Sequence, residues 1–208
     1  MTADMHVPRF YVQQKFAMTT NRYALYAAEP DGGIDYFSAA GDFRDCEPEQ
    51  LRMLANTRAI LFGRTTYGMF ADYWPKADPA EFQVTMLINT LPKYVVSNTL
   101  ESAPWGNTGD RAQVLRGDGV DATRALRSRV DGDIIVWGSL TLADALLRAA
   151  EVDVLRLRIV PVLIGAGRSF TPHDLGQRGL AFEQAQTFPS GHVVLQYRMT
   201  SHSSASGT

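Results

Sequence analysis

The sequence predicts an α/β fold: a single domain on a mixed, mainly parallel sheet flanked by helices, with a C-terminal β-hairpin. Three observations carry that expectation. Strand-like apolar segments alternate with helix-like ones, the pattern of a parallel sheet covered on both faces. Two of the strand-like segments, Ala59–Phe62 (AILF) and Asp133–Trp137 (DIIVW), are too continuously apolar to have a wet face. Near the C-terminus, Leu180–Thr187 and His192–Met199 flank Pro189-Ser190-Gly191, a turn-forming triplet suited to a hairpin. A chain of 208 residues can bury about 70% of its unfolded surface, so neither a disulfide nor a metal is needed to fold it. No repeat or linker divides it. One domain is expected over 9–200, with flexible termini at 1–8 and 201–208.

Each element has its own local reason. Phe10–Met18 (FYVQQKFAM) is rich in aromatic and aliphatic residues and reads as the first strand. A long connection follows, with a turn at Pro30-Asp31-Gly32-Gly33. Loops of that length after a first strand are common places for a substrate lid. Pro48–Asn56 reads as a helix, with Leu51 and Leu54 on one face and Glu47-Pro48-Glu49 at its start. AILF ends at Gly63, and a helix begins at Arg64 and reaches Phe70. Another helix is expected over Pro79–Asn89, after Trp74-Pro75.

Lys93–Ser97 (KYVVS) is a β-branched strand and Ala112–Leu115 a weaker one. Val120–Val130 is an amphipathic helix with Arg124, Arg127 and Arg129 on its solvated face. DIIVW passes through Gly138-Ser139 into an apolar helix, Leu140–Ala150. Val154–Ile164 (VLRLRIVPVLI) alternates Leu155, Leu157 and Ile159 with Arg156 and Arg158, which predicts a half-exposed strand. Pro161 makes it an edge strand or a bulged one.

Composition narrows the function. The formal net charge of −2 argues against nucleic acid as the main partner. Cys46 is the lone cysteine, which rules out an internal disulfide and fits a reducing cytoplasm. His6, His173, His192 and His202 show no metal-ligand spacing, so no metal is expected, and His173 and His192 are expected at the surface. The opening MTADMHVPRF lacks the pattern of a signal peptide, and no run approaches the roughly 18 apolar residues of a membrane span. No G-x-S-x-G supports a hydrolase.

Three strand ends carry candidate chemistry. Gly63-Arg64-Thr65-Thr66 stands between a buried strand and a helix, where a glycine admits a phosphate and a helix N-terminus offers N–H groups to it. Gly138-Ser139-Leu140-Thr141 repeats that arrangement after DIIVW. Ser97-Asn98-Thr99 ends KYVVS and suits either a nucleotide contact or a cap. A fourth stretch, Gly165-Ala166-Gly167-Arg168, reads as a structural turn. Asp35 suits either a substrate carboxylate or a helix cap, and Tyr36 and Trp74 suit either a pocket wall or the core.

Together, LFGRTTYGMFADYWP, KYVVSNTL, IIVWGSLTLADALL and LRLRIVPVLIGAGRSF resemble the dihydrofolate reductase-like family. The nearer branch is the reductase domain of bacterial bifunctional riboflavin-biosynthesis deaminase-reductases. The resemblance runs from about Phe10 to Met199. It implies an NADPH-dependent oxidoreductase that passes a hydride to a small heterocycle, pterin- or pyrimidine-like, and a homodimer. By position, Gly63, Arg64, Thr65, Thr66, Ser97, Asn98, Gly138, Ser139, Leu140 and Thr141 match the cofactor side, with Arg64 suited to a 2′-phosphate.

On the substrate side the branch's Ser-Leu-Asp-Gly is replaced by Thr19-Thr20-Asn21-Arg22, an amide standing where the carboxylate would be. Asp35 is then the best carboxylate. Thr19 and Asn21 join it as catalytic candidates, and Arg22, Tyr36 and Trp74 as substrate contacts. The alternatives are a non-catalytic small-molecule or nucleotide-binding protein on the same fold, or a flavin-binding variant. No zinc-deaminase motif is present in the sequence.

Overall fold

The computed structural model describes residues 10–18, 25–28, 35–39 and 41–200. The expected termini, the Pro30–Gly33 turn, Thr19, Asn21 and Arg22 lie outside the described residues. Six strands run parallel: β1 (Phe10–Met18), β3 (Thr57–Gly63), β4 (Lys93–Val96), β5 (Gln113–Leu115), β6 (Asp133–Trp137) and β7 (Val154–Leu163). With β9 (Gly179–Thr187) and β10 (Val193–Thr200) they form the order β5-β4-β3-β6-β1-β7-β10-β9. The last two are the expected hairpin, antiparallel to each other and to β7. Two short strands were not expected: β2 (Leu25–Ala28), antiparallel to β1, and β8 (Arg168–Ser169), antiparallel to β2. The long connection after β1 therefore doubles back on the sheet before it continues.

Among the described residues the α-helices are α1 (Tyr36–Ala39), α2 (Glu47–Asn56), α3 (Arg64–Tyr73), α4 (Val84–Thr90), α5 (Gly119–Arg127) and α6 (Leu140–Arg148). The expected Pro79–Asn89 helix survives only as α4. Its first residues form a turn in which Asp78 Oδ1 accepts from the Ala80 N–H at 2.8 Å. Helix α3 runs one turn past the expected end, to Tyr73.

The buried strands explain why the fold has two cores. In β3, Ala59 and Leu61 point to one face and Ile60 and Phe62 to the other, and all four are fully buried. β6 divides Ile134 and Val136 from Ile135 and Trp137 in the same way. One face packs on α5 and α6 through Leu126, Leu142 and Leu146. The other packs on α2, α3 and α4 through Leu54, Tyr67 and Ile88, with Trp105 in its middle.

β7 corrects the expected half-exposed strand. It lies between β1 and β10, with Leu155 and Leu157 in the α5/α6 core. Arg156 and Arg158 are not solvated: they are 2% and 3% exposed, beneath α2. Glu49 of α2 bonds Arg156 and stands 3.8 Å from Arg158, and Gln50 accepts from Arg158 at 3.4 Å. Gln196 of β10 accepts from Arg156 at 2.9 Å. Alternation read the period correctly, but the polar face is covered by a helix that brings its own carboxylate. Burial depresses the Arg158 guanidinium below its ordinary value, against the pull of nearby Cys46 and Asp45. Pro161 sits at a bulge, where β1 slips register between Ala17 and Met18 and the β10 ladder has already ended at Ile159. Its missing N–H therefore leaves no ladder bond unmade.

His192 is the second correction. It is 1% exposed, with Nδ1 2.9 Å from Ser190 Oγ in the β9–β10 turn and the Phe43 ring 6.2 Å away. His173 is exposed, as expected. On α5, Arg124 and Arg127 reach Glu151 and Asp153 at 2.7 and 2.6 Å, so the expected solvated face is an ion-pair network.

Candidate functional site

Parallel strands deliver their carboxyl ends to one edge of the sheet, and ligands of open α/β sheets bind there. β3 ends at Gly63 and β6 at Trp137, and these neighbours launch α3 and α6 side by side. The two junctions are interlocked. The Gly63 N–H donates to Ser139 Oγ at 2.7 Å, and the Ser139 N–H donates to Thr66 Oγ1 at 3.0 Å. Ser139 Oγ in turn donates to the Trp137 carbonyl at 3.2 Å.

This arrangement requires unusual backbone. Gly138 has φ +62° and Ser139 φ +56°, both left-handed. A Cβ on Gly138 would stand 3.2 Å from the Thr66 methyl, so glycine is needed for conformation and for space. Gly63 is extended, and its Cβ position lies 3.5 Å from Ser139 Cβ.

The interlock leaves both helix starts open. Gly63 and Ser139 occupy the N-cap positions of α3 and α6, and neither gives a side-chain cap. Helix α5 differs, since Asp118 Oδ1 accepts from Val120 and Asp121 at its start. Two adjacent helix N-termini without side-chain caps thus lie at the carboxyl edge of a parallel sheet, each a positive dipole end.

The third strand end is engaged with itself. Ser97 Oγ accepts from the N–H groups of Thr99 and Leu100 at 3.3 and 3.1 Å. Asn98 clasps Gly117 from both sides, donating to its carbonyl at 3.1 Å and accepting from its N–H at 2.7 Å. Of the two sequence readings, these contacts are those of caps. Arg64 is exposed at the head of α3 and donates to Thr99 Oγ1 at 3.0 Å, which draws this loop toward the interlock. Arg116, not singled out from the sequence, donates to the Ser97 carbonyl at 2.8 Å and also to the Leu100 carbonyl. Nothing in the residues around Arg116 signals that role.

The substrate-side candidates separate. Asp35 is exposed in the turn before α1. Tyr36 is 4% exposed against Val160, Val162 and Ile164, at the end of β7. Trp74 is half-buried in an aromatic group, 6.0 Å from Phe70 and 5.1 Å from the exposed Tyr73 ring. The stretch read as a plain turn places Arg168 on β8, where it reaches Asp144 and Thr141 on α6. No group of three or more His, Cys, Asp or Glu among the described residues is placed to hold a metal. No helix among them is long and apolar enough to cross a membrane.

The mainly parallel mixed sheet flanked by helices, with an antiparallel hairpin at one edge, agrees with the dihydrofolate reductase-like α/β class expected from the sequence. The family described as RibD C-terminal domain matches residues 47–194, and the chain belongs to that family. The uncharacterized protein YyaP of Bacillus subtilis is 30% identical over 173 residues, spanning 80% of this chain and 88% of that protein.

Solved structures agree in fold. A protein assigned to riboflavin biosynthesis from Shewanella sp. PV-4 has a TM-score of 0.72 at 15% identity, covering 93% of this chain and 99% of that one. A pyrimidine reductase-like protein from Corynebacterium diphtheriae gives 0.66 at 17% identity, covering 94% and 93%. The Thermotoga maritima diaminohydroxyphosphoribosylaminopyrimidine deaminase/5-amino-6-(5-phosphoribosylamino)uracil reductase gives 0.62 at 13% identity, over 92% of this chain and 57% of that one.

Proposed function

We propose that this chain is an NADPH-dependent reductase of a small heterocycle, pyrimidine- or pterin-like. The observation that carries the reading is the Gly63–Ser139–Thr66 interlock, which holds two open helix starts side by side. Membership of the RibD C-terminal domain family supports reading those helix starts as a dinucleotide site. The residues fit the group: with Gly63, Ser139 and Thr66 holding the two loops together, the first turns of α3 and α6 and the Thr65 and Thr141 hydroxyls would meet the phosphates. Arg64, exposed beside them, is the fork for a 2′-phosphate. Ser97 and Asn98 shape the adenosine side by fixing the loop that Arg64 contacts.

When bound, NADPH would supply the hydride, and the chain's own residues would position, exclude water and donate a proton. Asp35 is the proposed proton source, Thr19 and Asn21 the polar groups facing the heterocycle, and Arg22, Tyr36 and Trp74 the substrate contacts. The replacement of the branch's carboxylate by Asn21 favours a substrate other than the riboflavin intermediate. It also motivates the second reading, a binding protein without turnover.

Titration with NADPH by calorimetry tests the first step. Saturable binding is expected, weakened for NADH and for Arg64→Gln with NADPH. Absence of saturation at millimolar NADPH rejects the reductase. Binding without oxidation of NADPH by any pterin or pyrimidine offered selects the second reading. An absorption spectrum of the purified protein tests the flavin variant. A homodimer is also proposed from the family resemblance. Sedimentation velocity decides the assembly.

A further inference from the structure

We infer that two copies of this chain meet through the uncovered apolar face of β9 and β10, with Phe182 as the anchor. The inference rests on the homodimer proposed above and assigns its surface; it is independent of the cofactor. Strand register sets the face. Phe182 stands opposite Tyr197, Leu180 opposite Met199 and Ala185 opposite Leu195. β10 carries these rows on to β7, where Leu195 pairs with Leu157 and Tyr197 with Leu155. Leu155 and Leu157 are buried in the α5/α6 core, and Leu195, Tyr197 and Met199 pack partly against it. At β9 the cover ends. Leu180 is 44% and Phe182 63% exposed, with the Phe182 ring edge-on to Tyr197 at 6.0 Å. The core's apolar face therefore runs on into solvent, where an exposed patch of that kind marks a contact surface.

Two observations point to a second copy as the occupant. First, the chain that follows β10 is unsuited to cover the patch: its eight residues, SHSSASGT, contain no apolar side chain larger than alanine. Second, every residue that β9 and β10 put on this face is uncharged. A two-fold contact sets a patch against itself, so a charge near the axis would meet its own copy and repel it. The hairpin's charges lie on the other face, where Glu183 accepts from Gln196 at 2.9 Å and stands 3.6 Å from Arg198. The contact is face to face. Glu183 is the extra residue of a bulge opposite Gln196 and Tyr197, and it breaks the regular ladder that edge-to-edge pairing of β9 would need.

Sedimentation velocity on the full chain, over a concentration series, tests this. The parent is expected to be a dimer. Phe182→Glu sets a carboxylate against its own copy and is expected to weaken the dimer at least about thirtyfold. Leu180→Glu is expected to act in the same direction. Both side chains are largely solvated within one chain, so the fold is expected to survive in each variant, which circular dichroism checks. Met86→Glu is the control: Met86 is also 63% exposed but lies on α4, against the other core, and its replacement is expected to leave the dimer as it is.

A folded Phe182→Glu that dimerises as tightly as the parent overturns the face and leaves the dimer reading standing. Equal weakening by Met86→Glu also overturns it, since the effect is then one of added charge. A parent that is monomeric throughout overturns the face and the dimer together, and leaves the patch to an unlike partner or to the chain's own residues before Phe10. Failure to bind NADPH rejects the reductase alone, and loss of the dimer in Phe182→Glu then still supports the face.

Discussion

Gly138 and Lys93 show how a single residue's surroundings dictate what can replace it. Alanine at position 138 would need the left-handed backbone and would meet the Thr66 methyl at 3.2 Å. Gly138→Ala is therefore expected to lose about 1–3 kcal/mol in urea unfolding and to weaken NADPH binding. Lys93 is a different case. The residue is 8% exposed, and its ammonium donates to the Asn89 and Leu91 carbonyls at 2.6 and 2.7 Å and lies 4.6 Å from the Trp105 ring centroid.

Burial pushes the Lys93 ammonium down to about 8, against a small opposing pull from Asp110. Below that pH both folded and unfolded chains carry the proton, and the cost of burying the charge is present in full. Between about 8 and 10.5 the folded chain has released it while the unfolded chain has not. This residue's contribution to stability therefore rises with pH through that window, by at most about 1.4 kcal/mol per pH unit. Unfolding curves of the parent and Lys93→Met at pH 7 and 10 check the sign: the parent should gain relative to the variant. Neither demand was legible in the sequence. KYVVS showed a strand but not the lid of carbonyls and indole over its first residue.

At the scale of elements, the contact between α2 and β7 is the one that sequence periodicity misread. Alternating Leu and Arg marks one apolar and one polar face, and it cannot say whether the polar face meets water or a helix. Here Glu49 and Gln50 decide it, more than 100 positions earlier in the chain, and no local pattern links them to Arg156 and Arg158. Glu49→Gln would remove the carboxylate that bonds Arg156 and stands beside Arg158, and is expected to cost about 3–5 kcal/mol by chemical denaturation. Replacing Glu49, Arg156 and Arg158 together by Met, Leu and Leu is expected to be neutral or stabilising. That contrast separates the penalty of an orphaned charge from the net worth of the cluster. By comparison β6 and the starts of α3 and α6 were readable to the residue, since an apolar strand ending in glycine and an immediate helix leave few alternatives.

For the whole molecule, the order of the parallel strands brings segments from positions 63, 97 and 138 to one edge. The sequence showed three similar strand ends. It did not show that those at 63 and 138 bond directly to each other, or that Ser97 and Asn98 spend their side chains on their own loop. β2 and β8 escaped because strands of four and two residues carry too little pattern to read. They nonetheless deliver Arg168 to α6. If NADPH binds the folded chain alone, a concentration of 100 Kd adds about 2.7 kcal/mol, a rise in Tm of roughly 5–10 °C for a domain of this size. A thermal scan with and without the cofactor should show it, with a smaller rise for NADH.

The bond pair joining Gly63, Ser139 and Thr66 has one more consequence, and it is kinetic. Both loops are already in register before any ligand arrives, so docking of phosphates requires no slow closure at that end of the cleft. Association there should run at the speed of diffusional encounter, with a single exponential in stopped flow whose rate grows linearly with ligand concentration. Ser139→Ala, which breaks one of the two bonds and spares the backbone, should turn that line into a curve that levels off, as a loosened pair of loops must find its register before it can hold the ligand.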